Sequence, residues 1–129
     1  PFQEWYASGF QGYDVDYQLI SAIEDPNVYT YEVFLGTWCE DSRKEVPRIA
    51  KIFKTLGVPE ENVIYICVDR DKVSPGNEQE GKDIRYVPTL IVNQGNKEIG
   101  GIVESPIGTL ESDLLEIDLG IPPVPNYAQ

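Results

Sequence analysis

Cys39 is the residue of this chain best suited to covalent chemistry, and the stretch from Gly36 to Pro47, GTWCEDSRKEVP, sets its terms. A Cys-x-x-Cys there would be a dithiol redox centre, one sulfur attacking a substrate and the second releasing it. The chain supplies the first sulfur and places Ser42 at the second position. It contains no histidine, so Ser-His-Asp triads, Cys-His dyads and nearly all zinc sites are excluded, because each needs an imidazole or several more thiols. Chemistry is left to Cys39, Cys67, the carboxylates, the tyrosines and the lysines.

Local sequence predicts how Cys39 is held. The segment NVYTYEVFLG, rich in β-branched and aromatic residues and ending at Gly36, reads as a strand that runs into the motif. Beyond it Val46, Ile49, Ala50 and Phe53 recur at helical spacing, which predicts a helix to about Leu56 that stops at Gly57 and is kinked by Pro47. A cysteine at a helix start meets unpaired N–H groups and partial positive charge, which favour the thiolate. Arg43 and Lys44 act in the same sense, while Glu40 and Asp41 oppose it. Ser42 would either cap the helix or donate to the sulfur.

The remaining elements follow the same kind of reading. Residues 1–13 show no sustained period and are expected to be an irregular lead, with Trp5 and Phe10 packing on the domain. Val15, Leu19, Ile20 and Ile23 predict a helix from Asp14, ended by Pro26. NVIYICVD is a near-continuous apolar run, expected as a parallel strand buried on both faces. In it Cys67 would be a small buried hydrophobe; the sharper alternative, a resolving thiol, needs Cα atoms within about 7 Å. A polar loop from Asp69 to about Glu80 follows, whose acids lack the spacing of a calcium loop. A hairpin is then expected, with strands Thr89 to Val92 and Glu98 to Val103 around Gly95. TLESDLLEI would close the domain as a helix with Leu110, Leu114 and Ile117 inward. Residues 119–129 form a proline-rich tail, leaving 14–118 as one α/β domain, a mixed sheet with helices on both faces.

Charge bounds the partners. Twenty-two acids against ten bases give −12, a field that repels nucleic acid and anionic lipid. Arg43, Lys44, Arg48, Lys51 and Lys54 nevertheless crowd the helix after Cys39. They form either a solvated face paired with nearby acids or a docking patch for an acidic partner. No apolar run approaches the roughly 20 residues of a membrane-spanning helix. With no methionine and Pro1 first, the chain is read as a mature or trimmed segment.

The order of strand, Trp38-Cys39-x-x-Ser42, helix with Pro47, and Val87-Pro88-Thr89 opening a hairpin resembles the thioredoxin family over roughly Asp14 to Ile117. The resemblance implies a thioredoxin fold in which Cys39 is the nucleophile, Ser42 stands where the family has its resolving cysteine, and Pro88 is the cis-proline. Val87 and Pro88 would line a groove for an extended substrate, and Trp38 would shield the sulfur. Val33 lies where thioredoxins bury a carboxylate, and Tyr65 near where its partner lysine is expected. These losses agree with each other, since without a second thiol the carboxylate has no proton to move. Similarity to bacterial envelope members with a Trp-Cys-x-Asp-Ser motif leads to an expectation of export to the periplasm, with the cytoplasm as the alternative. The implied activity is thiol–disulfide exchange through a single cysteine, with Cys39 and Ser42 as the catalytic pair. It would form mixed disulfides with protein or low-molecular-weight thiol or disulfide substrates. Release would fall to an external thiol, and no cofactor or metal is implied. The alternative is a non-catalytic peptide-binding or interaction module on the same fold. Oligomeric state is left open.

Overall fold

The computed structural model describes residues 2–82 and 84–124. The chain opens with α1 (Phe2–Gly12) and the single turn α2 (Tyr17–Ile20), then β1 (Tyr29–Leu35), α3 (Glu40–Leu56) and β2 (Val63–Cys67). After a long loop come β3 (Thr89–Gln94), β4 (Lys97–Val103) and α4 (Leu110–Asp118). The sheet order is β2-β1-β3-β4. β1 and β2 run parallel, as a strand–helix–strand crossover requires, and the other two pairs are antiparallel. A β-α-β unit joined in one mixed sheet to a β-β-α unit is the thioredoxin fold.

Each element has a local cause. Gly57 ends α3 in the left-handed conformation, with its N–H on the Lys54 carbonyl. Thr109 caps α4 through a reciprocal bond pair with Ser112. A two-residue turn, Gly95 and Asn96, joins β3 to β4, and Gly95 carries the positive φ it needs.

Alternate residues of the strands build two cores. Tyr29, Tyr31, Val33 and Leu35 of β1 face α2, α3 and α4, where they meet Ile20, Val46, Ile49, Phe53, Leu114 and Ile117. Phe34, Ile66 and Ile91 face the other way, against Val68, Val87, Trp38, Cys39 and Ile84. Full burial of each large aliphatic or aromatic side chain contributes about 1.5–3 kcal/mol. The second face was expected to carry helices as well. Among the described residues it is closed by the loop between β2 and β3, which Lys82 ties down by an ion pair with Glu32 of β1.

Four further expectations are corrected. The first residues are not an irregular lead: α1 is a helix, and its Gly9 lets it approach α3 so closely that a β-carbon there would stand 3.0 Å from Pro47. The helix expected from Asp14 shrinks to one turn. The buried Glu111 of α4 accepts from the Tyr13 hydroxyl and the Asp16 N–H and holds that segment out of helical geometry. Asp16 then caps the short turn. Pro26 does not simply stop a helix but opens a 3₁₀ turn, Pro26–Val28. Finally, β2 is parallel as expected but lies at the sheet edge, with Ile64 56% and Tyr65 45% exposed. Of the tail, 121–124 carries no regular structure, and 125–129 lies outside the described residues.

Candidate functional site

The site forms where β1 gives way to α3. Leu35 ends the strand, and a tight turn follows in which the Cys39 N–H donates to the Gly36 carbonyl at 3.0 Å. Cys39 is the N-cap of α3, with extended backbone, and its side chain makes no capping bond. The thiol turns instead toward the opposite segment and donates to the Val87 carbonyl at 3.3 Å. The Val87–Pro88 peptide is cis. Two stretches 48 residues apart thus meet at the sulfur, which is half-buried against Phe34, Ile66, Val68, Val87 and Ile91.

Trp38 is fixed beside it. Its indole N–H donates to the Val68 carbonyl at 3.1 Å, so the ring spans from the β1–α3 turn to the end of β2. Arg70 lies over the ring at 5.1 Å from its centroid and Lys72 at 5.4 Å, within cation–π range. Both cations are placed by a tight turn from Asp69 to Val73. The Asp69 carboxylate accepts from the Asp71 and Val73 N–H groups, and the Lys72 N–H returns to the Asp69 carbonyl. On the other side Arg43 reaches back so that its Nε donates to the Thr37 carbonyl at 2.7 Å.

Of the residues the sequence singled out, Trp38, Cys39, Val87 and Pro88 come together. Val87 and Pro88 are buried; the Val87 carbonyl meets the Cys39 thiol and the Pro88 carbonyl accepts from the Glu104 N–H at 2.7 Å, so among their backbone groups the Val87 N–H is the one left for an extended substrate. Ser42 does not serve the sulfur. It is fully buried, and its hydroxyl oxygen accepts from the Gly36 N–H at 3.1 Å, tying the end of β1 to the first turn of α3. Val33 is buried in the apolar core and pairs in register with Tyr65, so neither the carboxylate nor its partner lysine is present at these positions. Cys67 is exposed rather than a buried hydrophobe, because β2 is an edge strand. It alternates with Ile66, on the face of Val63 and Tyr65, whereas Cys39 packs with Ile66 on the other face. Both thiols are free, and Cys67 is turned away from any part in resolving a disulfide at Cys39.

The basic stripe of α3 is also re-read. Arg48 lies over the Tyr13 ring at 5.0 Å, Lys51 and Lys54 lie over Phe10, and the Lys51 ammonium donates to the Tyr13 carbonyl. Much of this stripe is covered by the chain's own first segment, Phe10 packing as expected. Glu45, one turn beyond Ser42, is buried on α3. Burial raises its carboxyl above the ordinary range, Arg48 and Lys44 draw it partly back, and Asp41 pushes it further up. The sequence reading missed Arg70, Lys72 and Glu111. Nothing local marks them: Arg70 and Lys72 meet Trp38 only because the chain crosses back over the sheet, and Glu111 reads as an ordinary first-turn acid of α4.

No helix among the described residues is long and apolar enough to cross a membrane. No family model matches the chain, and no curated protein sequence does. Among solved structures it is similar to Plasmodium falciparum thioredoxin, at 21% identity over 81% of this chain and 91% of that one, with a TM-score of 0.47. It is also similar to oxidised mitochondrial thioredoxin 3 of Saccharomyces cerevisiae, at 19% identity over 74% and 87%, with a TM-score of 0.44. Oxidised thioredoxin O2 of Arabidopsis thaliana matches at 23% over 67% and 71%, with a TM-score of 0.43. The fold itself rests on this chain's own sheet order and crossover.

Proposed function

We propose that this protein is a single-cysteine thiol–disulfide exchange protein whose nucleophile is Cys39. The observation that carries the reading is the meeting of the Cys39 thiol with the Val87 carbonyl at 3.3 Å. It sets a half-buried sulfur at a helix start beside the bend that leads into β3, whose Val87 N–H is a point at which a disulfide-bearing strand could pair. In the reaction the thiol loses its proton to water and the thiolate attacks one sulfur of a disulfide. The Cys39–S bond forms, the substrate S–S bond breaks, and the departing thiolate takes a proton from water. Ser42 cannot attack the resulting mixed disulfide, and Cys67 points from the opposite face. A second thiol from outside therefore releases Cys39, reducing it while its own sulfur enters a disulfide. Disulfide substrates of this kind accord with an exported location, which stays part of the proposal.

The test starts from a Cys67→Ala background and exposes the protein to a neutral peptide disulfide, followed by mass spectrometry. A mixed-disulfide adduct at Cys39, absent from Cys39→Ser and reversed by added thiol, supports exchange. Unmodified Cys39, together with peptide affinity that survives Cys39→Ser, would instead support a binding module without turnover. The burial of Ser42 as a structural strut is the one observation that favours that second reading.

A further inference from the structure

Among the described residues, Arg43, Arg70 and Lys72 beside Cys39 have no acidic partner, in a chain that has acids to spare. Twenty-two Asp and Glu face ten Lys and Arg, yet the one ion pair among the described residues is Lys82 with Glu32. Arg43 is held by a backbone carbonyl, and Arg70 and Lys72 by the Trp38 ring. Of the acids in the same segments, the Asp69 carboxylate is taken up by two N–H groups of its own turn. Glu40, Asp41 and Asp71 are exposed to water, as are Arg43 and Arg70, so solvent and salt screen these charges alike and the groups nearest the bound substrate decide. The Asp69–Val73 turn carries two acids and two bases, and it is the bases, Arg70 and Lys72, that it lays over the indole next to the nucleophile.

From this arrangement we infer that Arg70 and Lys72, with Arg43, select disulfides in acidic peptides, whose carboxylates flank the sulfur that Cys39 attacks. The inference rests on Cys39 being a nucleophile and adds the class of substrate. Net charge alone argues the reverse: a −12 chain repels acidic peptides and attracts basic ones. The local cations must therefore overcome the global field, which makes the outcome decisive. Carboxylates on the bound peptide would meet guanidinium and ammonium groups already immobilised by the ring and the turn, so little side-chain freedom is lost on pairing.

The experiment uses three synthetic peptide disulfides of equal length with Glu, Gln or Lys on both sides of the cysteine. Each is reacted with the Cys67→Ala protein at low ionic strength, and its rate is divided by its rate with a neutral small thiol to remove intrinsic differences in leaving-group strength. The expected normalised order is Glu above Gln above Lys, with Glu over Lys at about tenfold, within the range of electrostatic steering. That ratio should fall several-fold in 0.5 M salt and in the double variant Arg70→Gln, Lys72→Gln, and persist in Arg70→Lys, Lys72→Arg. Equal normalised rates, a preference for the Lys peptide, or a ratio indifferent to the double variant would overturn this inference alone. Failure of all three peptides to react, the Gln peptide included, would overturn the nucleophile reading and this inference with it.

Discussion

The indole of Trp38 lies so close to Gly36 that a β-carbon at residue 36 would stand 2.5 Å from its Cε2. Contact rather than backbone conformation is what demands glycine here. Gly36→Ala must either push the ring off the Val68 carbonyl or shift the end of β1, and overpacking of this kind costs about 1–3 kcal/mol. The expected result is a lower urea midpoint together with faster alkylation of Cys39, since the ring and the sulfur pack on the same cluster. Stability within about 0.5 kcal/mol of the parent and unchanged alkylation would mean that the ring has room to give.

Cys67 supplies a second, simpler expectation. It is exposed on an edge strand and bonded to nothing, so Cys67→Ala should change stability by no more than about 0.5 kcal/mol. In Cys39→Ala protein the remaining thiol should be titrated by a small disulfide reagent without denaturant. A thiol that reacts only in urea would return Cys67 to the core.

Pattern and periodicity exposed most of the fold because most of its elements announce themselves locally. β1, α3, the β3–β4 hairpin and α4 each carry their own apolar period and stop signal, and Gly57 and Gly95 stand where the chain needs positive φ. What stayed hidden depends on tertiary placement. An apolar run such as VIYIC reads the same in a central strand and at an edge, so the exposure of Ile64, Tyr65 and Cys67 could not be seen. α1 was obscured by its two glycines and a serine, although Trp5, Tyr6 and Phe10 do fall at helical intervals; one of those glycines is what allows the approach to Pro47. At the site, the motif named Trp38 and Cys39 and the resemblance named Val87 and Pro88. The direction of Ser42 and the cations on Trp38 emerge only once the loop crosses the sheet.

Glu111 offers a test of a buried carboxylate that the local sequence disguises. It is 1% exposed, and its two oxygens accept from the Tyr13 hydroxyl at 2.7 Å and the Asp16 N–H at 2.8 Å. Glutamine can keep both contacts, its oxygen toward Asp16 and its amide donating to the Tyr13 hydroxyl, so Glu111→Gln should cost about 1 kcal/mol. Leucine leaves both part-buried donors without their acceptor, and Glu111→Leu should cost more, up to about 3 kcal/mol. Adding Tyr13→Phe to Glu111→Leu should recover part of that loss, because one stranded hydroxyl is removed. Urea unfolding of the four proteins checks the order; equal costs for Gln and Leu would show that the two bonds contribute little.

Glu45 makes the stability depend on pH, and the sign can be worked out. Burial is the leading cause that raises its carboxyl above the ordinary range, and Asp41 adds to the rise, while the attraction of Arg48 and Lys44 offsets only part of it. The folded chain therefore takes up a proton at a higher pH than the unfolded chain. Between the unfolded and folded values the native state holds more protons, so stability falls as pH rises through that window. Glu45→Gln keeps the shape and removes the ionisation. The variant should be more stable than the parent above the folded value, with its advantage shrinking as pH falls through the window and small below the ordinary carboxylate range. Paired urea unfolding curves between about pH 4 and about pH 8 would show this convergence. A difference that stays constant with pH would remove the titration from the account. One that reverses, with the parent the more stable at neutral pH, would mean that Arg48 and Lys44 more than compensate for the burial of the charge.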